Sequence, residues 1–431
     1  MKVINTKTDR QALKELLNRN QFEALQVNAK VTEIIEAVKK QGDQALRRFT
    51  TMFDGVDLTS FKVTDKEVKE AYASLNQVIV SDLKQAKENL IRFHQKQIES
   101  SFRLNLEEGS YLEERVSAIE KVGLYVPGGT APLPSTVLMN AVPAKLAGVK
   151  KTVMVSPPNK YGKLAPSIIV AADLAGVDEI YKIGGAQAIA ALAFGTEIVP
   201  KVDKIVGPGN RYVTIAKRLV NGYVGIDLIA GPSEIAIIAD ETANPEYIAA
   251  DLLSQAEHDL EATSILITPS EPLIRAVQEA LDKQLETLSR KAMAKSSLKD
   301  YGVIILTESV DEAITISNQL APEHLEIMTV NNDEVLAKIT QAGSVFVGEY
   351  SSEPVGDYFA GTNHTLPTSG TARFSSPLSV RDFVKRTQVI YYTKTLFKKH
   401  YQSIARLANE EGLTAHAKAI LIRSEGDDFN D

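Results

Sequence analysis

The chain has 431 residues, of which 44% are hydrophobic and 24% charged, so it is a folded protein too long for one ordinary core, with roughly two to four domains. Its net charge of −7 leaves no basic footprint for nucleic acid, its apolar runs are too broken to span a bilayer, and residues 1–7 carry no secretory h-region, so a cytoplasmic protein is expected. It has no cysteine, which excludes disulfides, thiolate metal sites and any covalent thioester, and leaves water as the nucleophile for acyl-level chemistry.

Residues 1 to about 100 predict mostly helix, with Val31, Ile34, Ile35 and Val38 at helical spacing. A strand or loop is expected near residues 61–63, and the polar stretch 92–118 reads as an extension. From Val122 the rhythm changes. Strands are expected at 122–126, 153–155, 180–183 and 205–206, with helices at 134–146 and 167–174 and from Gln187 and Asn210. Such alternation implies a parallel sheet with right-handed crossovers. Leu146-Ala147-Gly148-Val149 and Leu174-Ala175-Gly176-Val177 echo each other, each with glycine where a helix should stop in the left-handed region. A second series follows, with strands at 235–238, 264–267, 303–306, 326–330 and 345–347. Its helices start at Asn244-Pro245, as N-cap and first helical residue, and cover 272–291 and 311–320. Two such series suggest two related nucleotide-fold halves. The stretch 356–370, rich in Gly, Thr, Ser and Pro, predicts a loop. Helices are expected at 396–407 and 415–422, and an acidic tail at 425–431.

Glu323 and His324 are adjacent, a ready pair of general bases. Neighbours on a strand face opposite ways, so they share a cleft only if the turn before the strand continues through them. Otherwise they are a solvated pair. Five of the six histidines (His258, His324, His364, His400, His416) lie in the C-terminal half, and with Gln, Asp and Glu nearby they are ligand types suited to zinc or manganese. Gln255 and His258 fall on one helical face, as metal ligands or as a solvated helix end. Asp357 and His364 flank a loop, as ligands or as a capped turn with a surface histidine. Glu411 and His416 bracket Gly412. His416 then sits in a first helical turn, where the helix dipole disfavours imidazolium and leaves the neutral form a metal needs; the alternative is a surface residue. Gly128-Gly129 and Gly207-Pro208-Gly209-Asn210 each separate a strand from a helix, where backbone N–H groups meet phosphate, although neither is a GxGxxG motif and tight turns serve equally. The segment 226–234 links the halves and reads as a cleft floor.

Together these segments resemble histidinol dehydrogenases. The resemblance rests on Tyr125-Val126-Pro127-Gly128-Gly129, Gly207-Pro208-Gly209-Asn210, residues 227–234, Gln255-Ala256-Glu257-His258, Ala321-Pro322-Glu323-His324-Leu325-Glu326, residues 356–364, Gly370-Thr371-Ala372-Arg373 and Glu411-Gly412-Leu413-Thr414-Ala415-His416, in family order. It implies an α/β fold of two incomplete Rossmann-like parallel-sheet domains plus small helical terminal domains: an N-terminal arm at 1–20, a discontinuous domain at 21–118 with 233–369, a Rossmann-like domain at 119–232 and a C-terminal dimerisation domain at 370–431. It implies a zinc ion on Gln255, His258, Asp357 and His416, with His416 and Glu411 supplied across an intertwined homodimer. Glu323 and His324 would be the bases. Ser233, His364 and Glu411 would contact L-histidinol together with His324 and the metal ligands, and Tyr125, Gln187 and Asn210 would contact NAD. The implied reaction is the four-electron oxidation of L-histidinol to L-histidine through a bound aldehyde, ending histidine biosynthesis. With an ordinary histidine pKa near ~6.5, alkaline pH should be needed to free His324. The competing reading is a metal-dependent hydrolase in which Glu323 activates water and no nucleotide binds.

Overall fold

Two parallel sheets carry the chain's β–α rhythm. The computed structural model describes residues 1–17, 25–128 and 132–425. Gly129 and the acidic tail beyond Glu425 lie outside the described residues. The chain divides into one unit of residues 1–98 and 119–383 and a second of 99–118 and 384–431.

In the first unit, a five-stranded sheet runs in the order Glu179–Lys182, Lys151–Ser156, Lys121–Tyr125, Lys204–Val206, Gly225–Ile226, all parallel. The predicted helices follow its strands as Pro134–Leu146, Pro166–Ala175, Gly185–Phe194 and Arg211–Val220. Gly176 closes the second of these at φ 75°, as its repeat predicts. The N-terminal helices cover the sheet. Val31, Ile35, Leu46 and Phe49 pack with Ile189 and Leu192 in one core, while Val80, Leu83 and Leu90 pack with Val137 and Ile168 in the other. Burial of these apolar faces drives the packing.

The six-stranded sheet runs Lys2–Asn5, Val303–Leu306, Thr263–Thr268, Glu234–Ala239, His324–Met328, Ser344–Val347, again all parallel. Lys2–Asn5 is an edge strand where helix was expected. Four residues are too few for a period to show. Asn244 caps the helix Pro245–Ala256 by accepting from Glu246 N. The long helix expected at 272–291 divides into Glu271–Leu285 and Lys291–Asp300. Between them Thr287 Oγ1 donates to Gln284 O at 3.0 Å, a local bond that competes with helix continuation. The strand expected at 326–330 starts two residues earlier, because pairing of His324 with both Ile235 and Ser344 sets the register.

Each sheet reverses its strand order once. The five-stranded sheet does so between Lys121–Tyr125 and Lys204–Val206, and the six-stranded sheet between Glu234–Ala239 and His324–Met328. Residues 227–233 connect the carboxyl end of Gly225–Ile226 to the amino end of Glu234–Ala239. This joins the carboxyl edge of one sheet to the amino edge of the other. Asn363 Nδ2 donates to Met139 O at 2.7 Å, tying the loop after residue 358 to a helix of the five-stranded sheet.

The second unit holds an antiparallel sheet in the order Val384–Tyr391, Tyr111–Ala118, Phe102–Asn105, with the helices Lys394–Glu410 and Thr414–Leu421. The polar stretch 92–118 thus supplies two strands, and the region after 370, expected to be helical, supplies a third. Among the described residues no helix is long and apolar enough to cross a membrane.

Ile237 is fully buried on a central strand. Ile237→Ala should cost about 2–5 kcal/mol of stability, read as a lower urea midpoint at unchanged m-value.

Candidate active site

The site is built on the first residue of a central strand. Glu234 N donates to Glu323 Oε2 at 2.9 Å, and Glu234 O lies 3.1 Å from His324 Nδ1. A carbonyl oxygen only accepts, so His324 Nδ1 carries the hydrogen and Nε2 bears the free lone pair. That Nε2 is buried, has no hydrogen-bond partner among the described residues, and lies 3.9 Å from Asp357 Oδ1. Burial holds the His324 pKa below its ordinary value, against the pull of Asp357. A lowered pKa favours the neutral imidazole.

Glu323 and His324 share this cleft at the point where the turn after Leu320 gives way to the strand that His324 opens. Ala321 adopts a left-handed φ of 48°, and Gly343 N and Ser344 N donate to Pro322 O and Glu323 O, each at 2.8 Å. Glu323 Oε2 is 3.8 Å from His324 Nδ1. Burial pushes the Glu323 pKa well above the usual carboxylate range, reinforced by the charges of Glu234, Glu353 and Asp357. Ser233 immediately precedes Glu234 and is half-buried.

A second cluster adjoins this pair. His258, Glu353 and Asp357 each present a ligand atom within 4.8 Å of the others. His258 Nε2 is 3.8 Å from Glu353 Oε1. Asp357 was expected in a loop but lies on the short helix Glu353–Tyr358, so Glu353 and Asp357 stand one turn apart on it. Sequence reasoning missed Glu353, and that spacing of four was the available signal. Burial, with Asp357 nearby, pushes the Glu353 pKa up to about 7. Ser254 Oγ holds its other oxygen at 3.0 Å, and its backbone N donates to Glu326 Oε1 at 2.8 Å. Glu326 in turn hydrogen-bonds Asp251, and burial raises both, Asp251 to about 6.

Gln255 lies in the last turn of the helix Pro245–Ala256 and its carbonyl accepts from His258 N at 3.1 Å. Its side chain is fully buried, yet among the described residues neither its oxygen nor its nitrogen has a partner. An orphaned buried amide costs about 1–3 kcal/mol, a cost that a bound ligand removes. Gln255, His258 and Asp357 offer nitrogen and oxygen donors among concentrated buried acid, which fits a divalent cation such as zinc.

His364, in the loop after that helix, bonds both halves. Its Nδ1 donates to Asp357 O at 3.2 Å, and Thr136 Oγ1 donates to its Nε2 at 3.1 Å. Burial lowers its pKa too. Glu411 and His416 belong to the second unit, where both are exposed. Glu411 is the C-cap of Lys394–Glu410, and His416 lies in the first turn of Thr414–Leu421 as expected.

Tyr125, Gln187 and Asn210 all lie at the carboxyl edge of the five-stranded sheet. Tyr125 Oη accepts from Gly185 N at 3.1 Å, and burial pushes its pKa up to about 12. Gln187 is buried in the first turn of Gly185–Phe194. Asn210 caps Arg211–Val220, its Oδ1 accepting from Tyr212 N and Val213 N. Residues 126–128 and 207–210 flank the switch point between Lys121–Tyr125 and Lys204–Val206, the place where open α/β sheets take dinucleotides.

The family model described as "Histidinol dehydrogenase" matches residues 17–424. Histidinol dehydrogenase of Clostridium acetobutylicum is 54% identical, over 96% of this chain and 95% of that protein. That of Geobacillus kaustophilus is 54% identical, over 92% and 93%. A crystal structure of histidinol dehydrogenase from Elizabethkingia anophelis superposes with a TM-score of 0.92 at 40% identity, covering 98% of both chains. With a family match spanning nearly its whole length and relatives sharing half its residues, the chain belongs to the histidinol dehydrogenase family.

Proposed function

We propose that this chain oxidises L-histidinol to L-histidine in two successive NAD-linked steps, at a zinc site completed in a homodimer. The observation that carries the reading is the bare Nε2 of His324. It is a buried base whose other nitrogen is fixed by Glu234 O, set beside Glu323 and Asp357. Family membership leaves the hydrolase reading without support.

In this reading His324 Nε2 takes the proton of the alcohol as the first hydride departs. Glu323, once ionised, takes a proton from the water that adds to the bound aldehyde. His324, having released the first proton to solvent, then takes the hydrate's proton as the second hydride departs. With no cysteine in the chain, the hydrate rather than a thiohemiacetal carries the second oxidation. Glu234 fixes the ring so that this base needs no reorientation. Gln255, His258 and Asp357, with His416 from a second copy, would hold zinc, which would supply a positive charge for orienting the substrate. Tyr125, Gln187 and Asn210 would hold NAD, which would supply the hydride acceptor. Ser233, His364 and Glu411 would contact L-histidinol, and Glu353, beside His258 and Asp357, lines the same space.

The deciding experiment counts NADH per limiting L-histidinol with zinc supplied. Two are expected, and one or none overturns the four-electron scheme. His324→Asn should slow both half-reactions about a hundredfold or more, whereas Glu323→Gln should spare alcohol oxidation and slow aldehyde oxidation. Equal loss in both halves would reject the division of roles. The pH profiles should also separate. The His324 pKa is lowered, so the first oxidation should stay flat from about pH 7 to about pH 9. The Glu323 pKa is raised, so aldehyde oxidation should climb with pH as that carboxyl ionises. Zinc should raise the melting temperature of the metal-free protein, and Gln255→Ala should shrink that rise, measured by differential scanning fluorimetry.

A further inference from the structure

Lys217 and Asp227 take no part in the scheme above, yet they form a buried ion pair, with side chains 3% and 1% exposed. The pair joins the helix Arg211–Val220 to the segment between the two sheets. Both ions also reach one glycine. Lys217 Nζ donates to Gly207 O at 2.8 Å, and Gly207 N donates to Asp227 Oδ2 at 2.7 Å. Gly207 is pressed against the end of the neighbouring strand. Its φ is 116°, and a Cβ there would stand 2.1 Å from Tyr125 O. Thr214, on the same helix, donates to Ala230 O at 3.1 Å and adds a second tie to the connecting segment.

An apolar pair of similar volume would hold helix and segment together as well or better, because burying two ions is costly. What it could not do is grip Gly207 by both of its backbone polar groups. Gly207 opens the turn that ends at Asn210 and rests on Tyr125, so the clamp sets the spacing between two of the residues placed at the dinucleotide. It does so at the sheet's switch point, where a ligand phosphate meets backbone N–H groups.

We infer that Lys217 and Asp227 are positioning residues that hold residues 207–210 in the shape that accepts the dinucleotide, an inference that rests on the NAD reading above. Neither belongs to the proposed substrate or metal set, so their loss should fall on NAD affinity.

Lys217→Met alone strands a buried carboxylate, so the test uses paired variants. Lys217→Met with Asp227→Leu removes both charges. A folded variant with unchanged zinc content and L-histidinol KM is expected, with the KM and Kd for NAD raised about tenfold by the loss of two hydrogen bonds. Lys217→Met with Asp227→Asn keeps an acceptor for Gly207 N and should recover part of that loss. Should the leucine variant not fold, the asparagine pair decides alone, with an NAD KM raised several-fold and an L-histidinol KM that is kept. An unchanged NAD KM in the folded variants overturns the inference. So does a loss spread equally over kcat and both KM values, which marks a structural role only. Wild-type protein that binds no NAD in titration calorimetry refutes the functional reading itself, before any variant is made.

Discussion

The site depends on how the backbone of a single residue is satisfied. Glu234 starts a central strand of the six-stranded sheet, and its N–H and C=O go to the side chains of Glu323 and His324. Buried backbone groups must find partners, and here the partners are the side chains proposed as the bases. That choice fixes the imidazole tautomer, aims the free nitrogen toward Asp357, and turns two sequence neighbours into one cleft. The supporting shell consists of packed strands rather than mobile loops, and such pre-organisation is what proton transfer exploits.

Electrostatics set the second theme. Glu323, Glu326 and Glu353 are buried with raised pKa values, and Asp251 joins them. Burial of so much acid disfavours its charged forms, and a cation among these groups would offset that cost. Glu326 also receives the backbone N of Glu353, so this acidic layer supports the helix that carries Asp357. The groups that suit a metal and the groups that orient its ligands are one continuous set.

Much of this was legible in the sequence. Both β–α series, the Asn244 cap and the helix-ending Gly176 follow from periodicity and capping chemistry, which are local. The Glu323–His324 pair was visible as chemistry, but its shared cleft depended on the left-handed Ala321, which no pattern announces. Lys2–Asn5 was invisible because an edge strand of four residues is defined by its neighbour Val303–Leu306. Glu353 was missed because Asp357 was read as loop, which hid the helical spacing. The direction of the His324 shift was illegible for another reason: burial is a property of the packed sheet, not of adjacent residues.

One further consequence concerns when activity arises. Glu234 and Glu323 are 89 residues apart, and the chain between them lays two strands, Thr263–Thr268 and Val303–Leu306, outward on one side of the sheet. A helix in this chain can form from its own residues, but the candidate cleft requires closure of that long loop. Intermediates that lack the pairing of Glu234–Ala239 with His324–Met328 contain Glu234, Glu323 and His324 without the arrangement that joins them. During refolding, helical signal should therefore return before catalytic competence, with the interval set by one parallel strand pairing.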